Sequence, residues 1–246
     1  MDGEVRLLGP LEVRGPQEPV RWTGPRRRAV FALLALGSGR LVSRSSLIDA
    51  LWGHRAPPTA TATVQGHVAQ VRKALSAAGL GGMVVTRDPG YLLDLRRVRV
   101  DVHEFDASAR LGREALDRGD GHRAVDRLTA ALGLWRGDPL ADCPVTGWAD
   151  AEVGRLREAL TLVEENLAAA LCLVGRHVEA IGELERLVAR YPWRERLWEL
   201  LVEAQHGAGR SVDALRTYRR VRAVLVEEFG LEPGPGLRRV EALVLA

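Results

Sequence analysis

At 246 residues, 46% hydrophobic and 27% charged, the chain has the size and composition of one large or two ordinary globular domains. Its longest apolar runs, AVFALLALG at 29–37 and LAAALCLVG at 167–175, fall far short of the ~20 residues a membrane span needs, and MDGEVRLLGP has no signal-peptide core, so a cytoplasmic protein without a membrane partner is expected. The net charge of +3 hides an asymmetry: residues 1–100 hold 14 Arg and one Lys against seven acids, +8, and the remainder carries −5, which suggests that the first part alone meets a polyanion.

The opening VRLLGPLEVRG and PVRW are short apolar stretches broken by Gly-Pro pairs, a pattern of small antiparallel strands and turns. A first helix starts at Pro25, suited to a first helical position, and stops at Gly37-Ser38-Gly39. SRSSLIDALWG is a second, short helix with Ser43 as its N-cap and Leu47, Ile48, Leu51 and Trp52 as its buried side. The third helix lies in TATATVQGHVAQVRKALSAAG, residues 59–79. MVVTRDPGYLLDL then forms a hairpin around Asp88-Pro89-Gly90, where proline presets the turn and glycine tolerates a positive φ.

Projected at about 100° per residue, the third helix groups Val64, Val68, Val71 and Leu75 in one stripe that must face a core. Opposite it fall Ala62, Gly66, Ala69 and Lys73, flanked by Thr59, Gln65 and Gln70, with Thr63 and Arg72 at the margins. An alanine-rich solvent face would show the same projection. Gly66 costs roughly 1 kcal/mol against alanine inside a helix, so close approach of a bulky body would explain it. Three helices and a hairpin make a winged helix-turn-helix, whose third helix enters the DNA major groove. Ala62, Gly66 and Ala69 would let the backbone sink in, Thr63, Gln65 and Gln70 could read bases, and Arg72 and Lys73 could hold phosphates. Arg87 on the hairpin is placed for a neighbouring groove or phosphate. Arg26, Arg27 and Arg28, at the start of the first helix, could add phosphate contacts or form a solvated helix end. His67, at the margin of the buried stripe, reads as a packed histidine.

From about Val100 the pattern changes to long amphipathic helices. GRHVEAIGELERLVARYP starts at Gly175 and GRSVDALRTYRRVRAVLV at Gly209, 34 residues apart, the tetratricopeptide period. Ala180 and Ala214 take the small-residue position, Pro192 closes the first copy, and Trp198 and Leu201 fall where that repeat wants large residues. A more degenerate copy from Gly119 aligns Ala124 and Ala131. The expected fold is mainly α with small β elements: a winged helix-turn-helix domain over 1–98, then an all-α tetratricopeptide-like domain over 99–246.

Along nearly its whole length the chain resembles the SARP family, the antibiotic regulatory proteins of filamentous actinobacteria. The segments carrying the likeness are RLLGPLEV, GPRRRAVFALLAL, VSRSSLIDALWG, VQGHVAQVRKAL, PGYLLDL, VDVHEFD, GRHVEAIGELERLV, RERLWELLVEA and FGLEPGPGLR. The resemblance implies an OmpR-type winged helix followed by a bacterial transcriptional activation domain. It further implies activation of a biosynthetic gene cluster by binding double-stranded DNA at promoter direct repeats and contacting RNA polymerase holoenzyme there. Two protomers side by side on adjacent repeats would make a homodimer on the DNA, and a nucleoid-associated location in the cytoplasm is expected. One departure is Gln70, where the family commonly shows an arginine; a neutral amide removes a phosphate-type charge, which either weakens the contact there or turns it to base reading.

An enzyme is disfavoured. The chain has no G-x-x-x-x-G-K-[ST] loop, no G-x-G-x-x-G after a strand and no H-E-x-x-H. The six histidines are scattered, and Cys143 and Cys172 lack metal-ligand spacing and read as buried free thiols. No cofactor and no metal are expected. Glu179 and Asp213 recur at equivalent repeat positions and belong to the repeat architecture. The alternative is a tetratricopeptide adaptor whose winged helix binds protein, but such an adaptor has no need of +8 confined to the part that owns the groove-fitting helix.

Overall fold

The computed structural model describes residues 3–96 and 98–246. They fall into two compact units that interleave along the chain. One comprises residues 1–107 and 133–160, the other 108–132 and 161–246.

In the first unit, β1 (Gly3–Arg6) pairs antiparallel with β2 (Glu12–Arg14). The stretch PVRW, expected as a strand, contributes only an isolated bridge from Pro19 to Arg14. Helix α1 (Pro25–Leu36) starts with proline in its first turn and buries every residue from Ala29 to Leu36. After β3 (Val42–Ser43) comes α2 (Arg44–Trp52), where the Ser43 side chain accepts from the Ser46 amide, so the cap is the one the sequence signals. Its buried residues are Leu47 and Ala50, whereas Ile48, Leu51 and Trp52 are half-buried; α2 is too short for a full apolar stripe and turns its small residue to the core. Helix α3 (Ala60–Ala77) packs on α1 and α2 through Val64, Val68, Val71 and Leu75, each at most 1% exposed.

Strands β4 (Val84–Arg87) and β5 (Gly90–Leu93) form the hairpin, and β5 also pairs with β3, giving the order β3-β5-β4. Gly90 is not among the residues of positive φ. A Cβ there would collide with the Val42 carbonyl oxygen, so the glycine serves close strand approach instead. A strand that patterning does not reveal, β6 (Val98–Val100), adds parallel to β1. Helix α4 (Asp101–Asp117) follows. The Asp101 carboxylate accepts the Leu7 and Leu8 amides at 2.8–2.9 Å.

Residues 133–160 complete this unit by hydrogen bonding to its N-terminal elements. The Arg136 amide donates to the Leu8 carbonyl, and the Leu140 amide to those of Leu7 and Gly9. Asp142 accepts the Leu11 amide at 2.9 Å and pairs with Arg28. The Thr146 amide donates to the Ala50 carbonyl in the last turn of α2 at 2.9 Å, where helix carbonyls lack helical partners, and the Trp148 indole N–H donates to the Ser46 carbonyl in the first turn at 3.1 Å.

The second unit contains the later part of α4, α5 (Gly121–Leu132), the second half of α6 (Trp148–Leu173), α7 (His177–Arg190), α8 (Glu195–Gly207), α9 (Ser211–Phe229) and α10 (Pro235–Leu245). Gly119, Gly175 and Gly209 each introduce a helix from φ near +75°: +75°, +77° and +76°. Alanine there would be strained. Ala124, Ala180 and Ala214, five residues on, are all fully buried. The two best repeats share an ion pair at the same register, Arg176 with Glu179 and Arg210 with Asp213. Trp198 is buried and its indole N–H donates to the Pro192 carbonyl at 2.8 Å.

Candidate nucleic-acid interface

The proposed reading face is α3, and its exposure follows the helical projection. Ala62, Gln65, Gly66, Ala69, Gln70 and Lys73 are exposed, with Thr59 at the N-cap also exposed, while Thr63, His67 and Arg72 are half-buried at the margins. Nothing lies within 4 Å of where a Gly66 Cβ would stand. The helix therefore bears the conformational cost of glycine without any close contact inside the protein that requires it. The Thr63 hydroxyl donates to the Thr59 carbonyl at 2.9 Å, which leaves its oxygen as an acceptor.

Arg72 is engaged with the hairpin. Its Nε and Nη2 donate to the Val84 carbonyl at 3.1 and 3.0 Å, and Nη2 also donates to the Thr86 hydroxyl at 2.7 Å. The guanidinium lies over the Tyr91 ring, 5.9 Å from its centroid. Lys73, one residue on, is exposed. Arg87 is exposed at the end of β4, beside the Asp88-Pro89 connection.

The three arginines opening α1 are each engaged within the unit, and differently. Arg26 stacks over the Trp52 ring at 5.2 Å while remaining exposed. Arg27 donates to the Thr23 hydroxyl, and Arg28 is drawn to Asp142. Arg26 and Arg27 stand close enough to α3 for their charge to act on His67. Burial first, then those two cations, hold the His67 imidazole below its ordinary value. Its Nε2 is enclosed with no hydrogen-bond partner among the described residues, as suits a packed histidine.

Sequence reasoning missed Arg44. At the start of α2 its amide donates to the Pro89 carbonyl at 3.1 Å and its Nη2 pairs with Asp88 at 2.7 Å, so it holds the hairpin tip. Asp88 is the only acid between Val84 and Leu93, a weak signal that its partner lies elsewhere.

Both cysteines are free, and burial pushes the Cys143 thiol up to about 12 and the Cys172 thiol to about 11, far from the range of a reactive thiolate. Among the described residues, no group of three or more His, Cys, Asp or Glu could hold a metal ion, and no helix is long and apolar enough to cross a membrane.

Comparison with known proteins matches residues 100–245 to the family model "Bacterial transcriptional activator domain" and residues 18–93 to "Transcriptional regulatory protein, C terminal". The chain is 36% identical over 251 residues to the regulatory protein DnrI of Streptomyces peucetius, covering 98% of this chain and 92% of DnrI. It is 36% identical over 254 residues to the transcriptional regulator RedD of Streptomyces coelicolor, covering 99% and 70%. With the transcriptional regulatory protein EmbR of Mycobacterium tuberculosis it shares 36% identity over 241 residues, covering 97% of this chain but 62% of EmbR. The solved structure of Mycobacterium tuberculosis EmbR in complex with a low-affinity phosphopeptide superimposes with a TM-score of 0.93 at 34% identity, over 99% of this chain and 65% of that one.

Proposed function

We propose, on the premise that this chain belongs to the SARP family of antibiotic regulatory proteins and is a transcriptional regulator, that it activates a secondary-metabolite gene cluster by seating α3 in the DNA major groove. The observation that carries this reading is the outward face of α3, small at its centre, open around Gly66 and polar or cationic at its rim. A helix of that shape can approach base edges without side chains holding it off. Gln65 and Gln70 supply amides suited to adenine, and Thr63 an acceptor. Lys73 and Arg87 supply phosphate contacts, joined by Arg26 and Arg27 from α1, which fix register rather than sequence.

In this reading the winged-helix unit recognises direct repeats near a promoter, and two protomers on adjacent repeats raise each other's effective concentration. The tetratricopeptide-like helices contact RNA polymerase holoenzyme; helical repeats present extended surfaces to partners. The role is regulatory rather than catalytic, and the place of action is the nucleoid in the cytoplasm. Footprinting on upstream regions of the source genome is the test, followed by transcription from the protected promoter with purified polymerase. Protected tandem repeats and raised transcript are expected. Absence of any protected region at low salt would refute the reading.

A further inference from the structure

We propose that Arg72 serves DNA binding as a positioning residue for the wing, holding β4 so that Arg87 meets the phosphate backbone. The proposal rests on the DNA-binding reading above. Strand β4 is paired on one side only, to β5, and a single-sided edge strand leaves alternate backbone groups without a ladder partner. Arg72 supplies one: two of its nitrogens converge on the Val84 carbonyl, one reaches on to Thr86, and its cationic carbon stands over the Tyr91 ring, 5.9 Å from the centroid. Thr86 and Tyr91 are directly opposed across the hairpin. A single guanidinium thus ties the reading helix to both strands of the wing.

The residue type follows from that geometry. A lysine ammonium is a single point charge and lacks two nitrogens spaced to share one carbonyl while reaching a hydroxyl. At the other end of the hairpin, Arg44 holds the tip through the Pro89 carbonyl and Asp88. Arg87 lies between these two ties, exposed. Two four-residue strands joined by a short turn are marginal alone, so the direction in which β4 offers Arg87 depends on what grips it. Arg72 and Lys73 are therefore adjacent cations with different tasks, one turned in to the wing and the other outward.

The test is a salt series of duplex binding by the full chain, read by fluorescence anisotropy with a mixed-sequence duplex, for Arg72→Lys, Arg72→Ala, Arg87→Ala and the doubles with Arg87→Ala. Removing one cation from a phosphate lowers the slope of log K against log salt by about 1. If Arg72 works through the wing, Arg72→Lys lowers the slope as Arg87→Ala does, although the charge is kept. Combining either Arg72 substitution with Arg87→Ala then lowers it no further. Amide exchange of β4 in the free protein should rise in Arg72→Lys, while a thermal melt confirms that the variant folds; this covers the case in which Arg72→Ala does not fold. A wild-type slope in Arg72→Lys, or effects that add in the doubles, would make Arg72 a phosphate contact and overturn the proposal, leaving the DNA-binding reading intact. A wild-type chain that binds no duplex would remove both.

Discussion

Gly66 offers the sharpest separation of fold from function. It sits in the middle of α3, is exposed, and apart from its chain neighbours and the adjoining helix backbone nothing lies within 4 Å of the place its Cβ would occupy. Gly66→Ala therefore brings no clash and no new packing, and its effect on stability reduces to helix propensity, about 0.8–1.0 kcal/mol in favour of alanine. For a unit of this size that is a rise in Tm of about 3 °C. Gly66→Leu should be stabilised almost as much, since leucine is also a good helix former. On DNA the order reverses. A leucine at the centre of the reading face would hold α3 off the base edges, and forfeiting two base pairings at about 1–3 kcal/mol each weakens specific binding at least about thirtyfold. Binding to mixed-sequence DNA, which depends on phosphate pairing, should fall much less. Thermal melts and anisotropy on the footprinted promoter read both quantities. A Gly66→Ala chain that melts below the wild type, or a Gly66→Leu chain that binds the promoter with wild-type affinity, would refute this account of α3.

Asp142→Ala removes the acceptor of the buried Leu11 amide and the partner of Arg28, and should cost about 2 kcal/mol of stability in the first unit; an unchanged urea midpoint would refute it. By the same logic a fragment of residues 1–100, which lacks residues 133–160, should melt well below the intact chain. His67 is held below its ordinary value of 6.5 in the folded protein, so the unfolded chain takes up the proton first. The fold then keeps its full stability above about pH 6.5 and loses part of it as pH falls below that, a loss that His67→Gln should lack when urea midpoints are compared at about pH 7.5 and 5.5. Cys143, its thiol pushed up to about 12, should resist iodoacetamide at mildly alkaline pH until the protein is unfolded; labelling as fast as in urea would show that the thiol is open to solvent.

What the sequence determined by itself is what local physics controls. The spacing of Val64, Val68, Val71 and Leu75 fixed which side of α3 is buried, because helix geometry makes burial of one stripe imply exposure of the other. The glycines at 119, 175 and 209 marked turns at positive φ, where other residues are strained, and the alanines five residues later marked the close-packed positions. The hairpin and the Ser43 cap were legible for the same reason: each depends on a few consecutive residues.

Tertiary structure alone decided which charges are free to meet a partner. Arg72 and Lys73 are indistinguishable as neighbouring cations in the chain, yet one is bound to the wing and the other is exposed. Arg26, Arg27 and Arg28 read as one basic run, but they end on Trp52, Thr23 and Asp142, the last 114 residues away from Arg28. The placement of residues 133–160 in the first unit, and the parallel addition of β6 to β1, were equally invisible to patterning. An arginine carries five donors on a long flexible stem, so its partner is whichever acceptor the fold brings within reach. Backbone conformation is written over a few neighbouring residues, whereas the fate of each charge is set by contacts that exist only once distant segments have met.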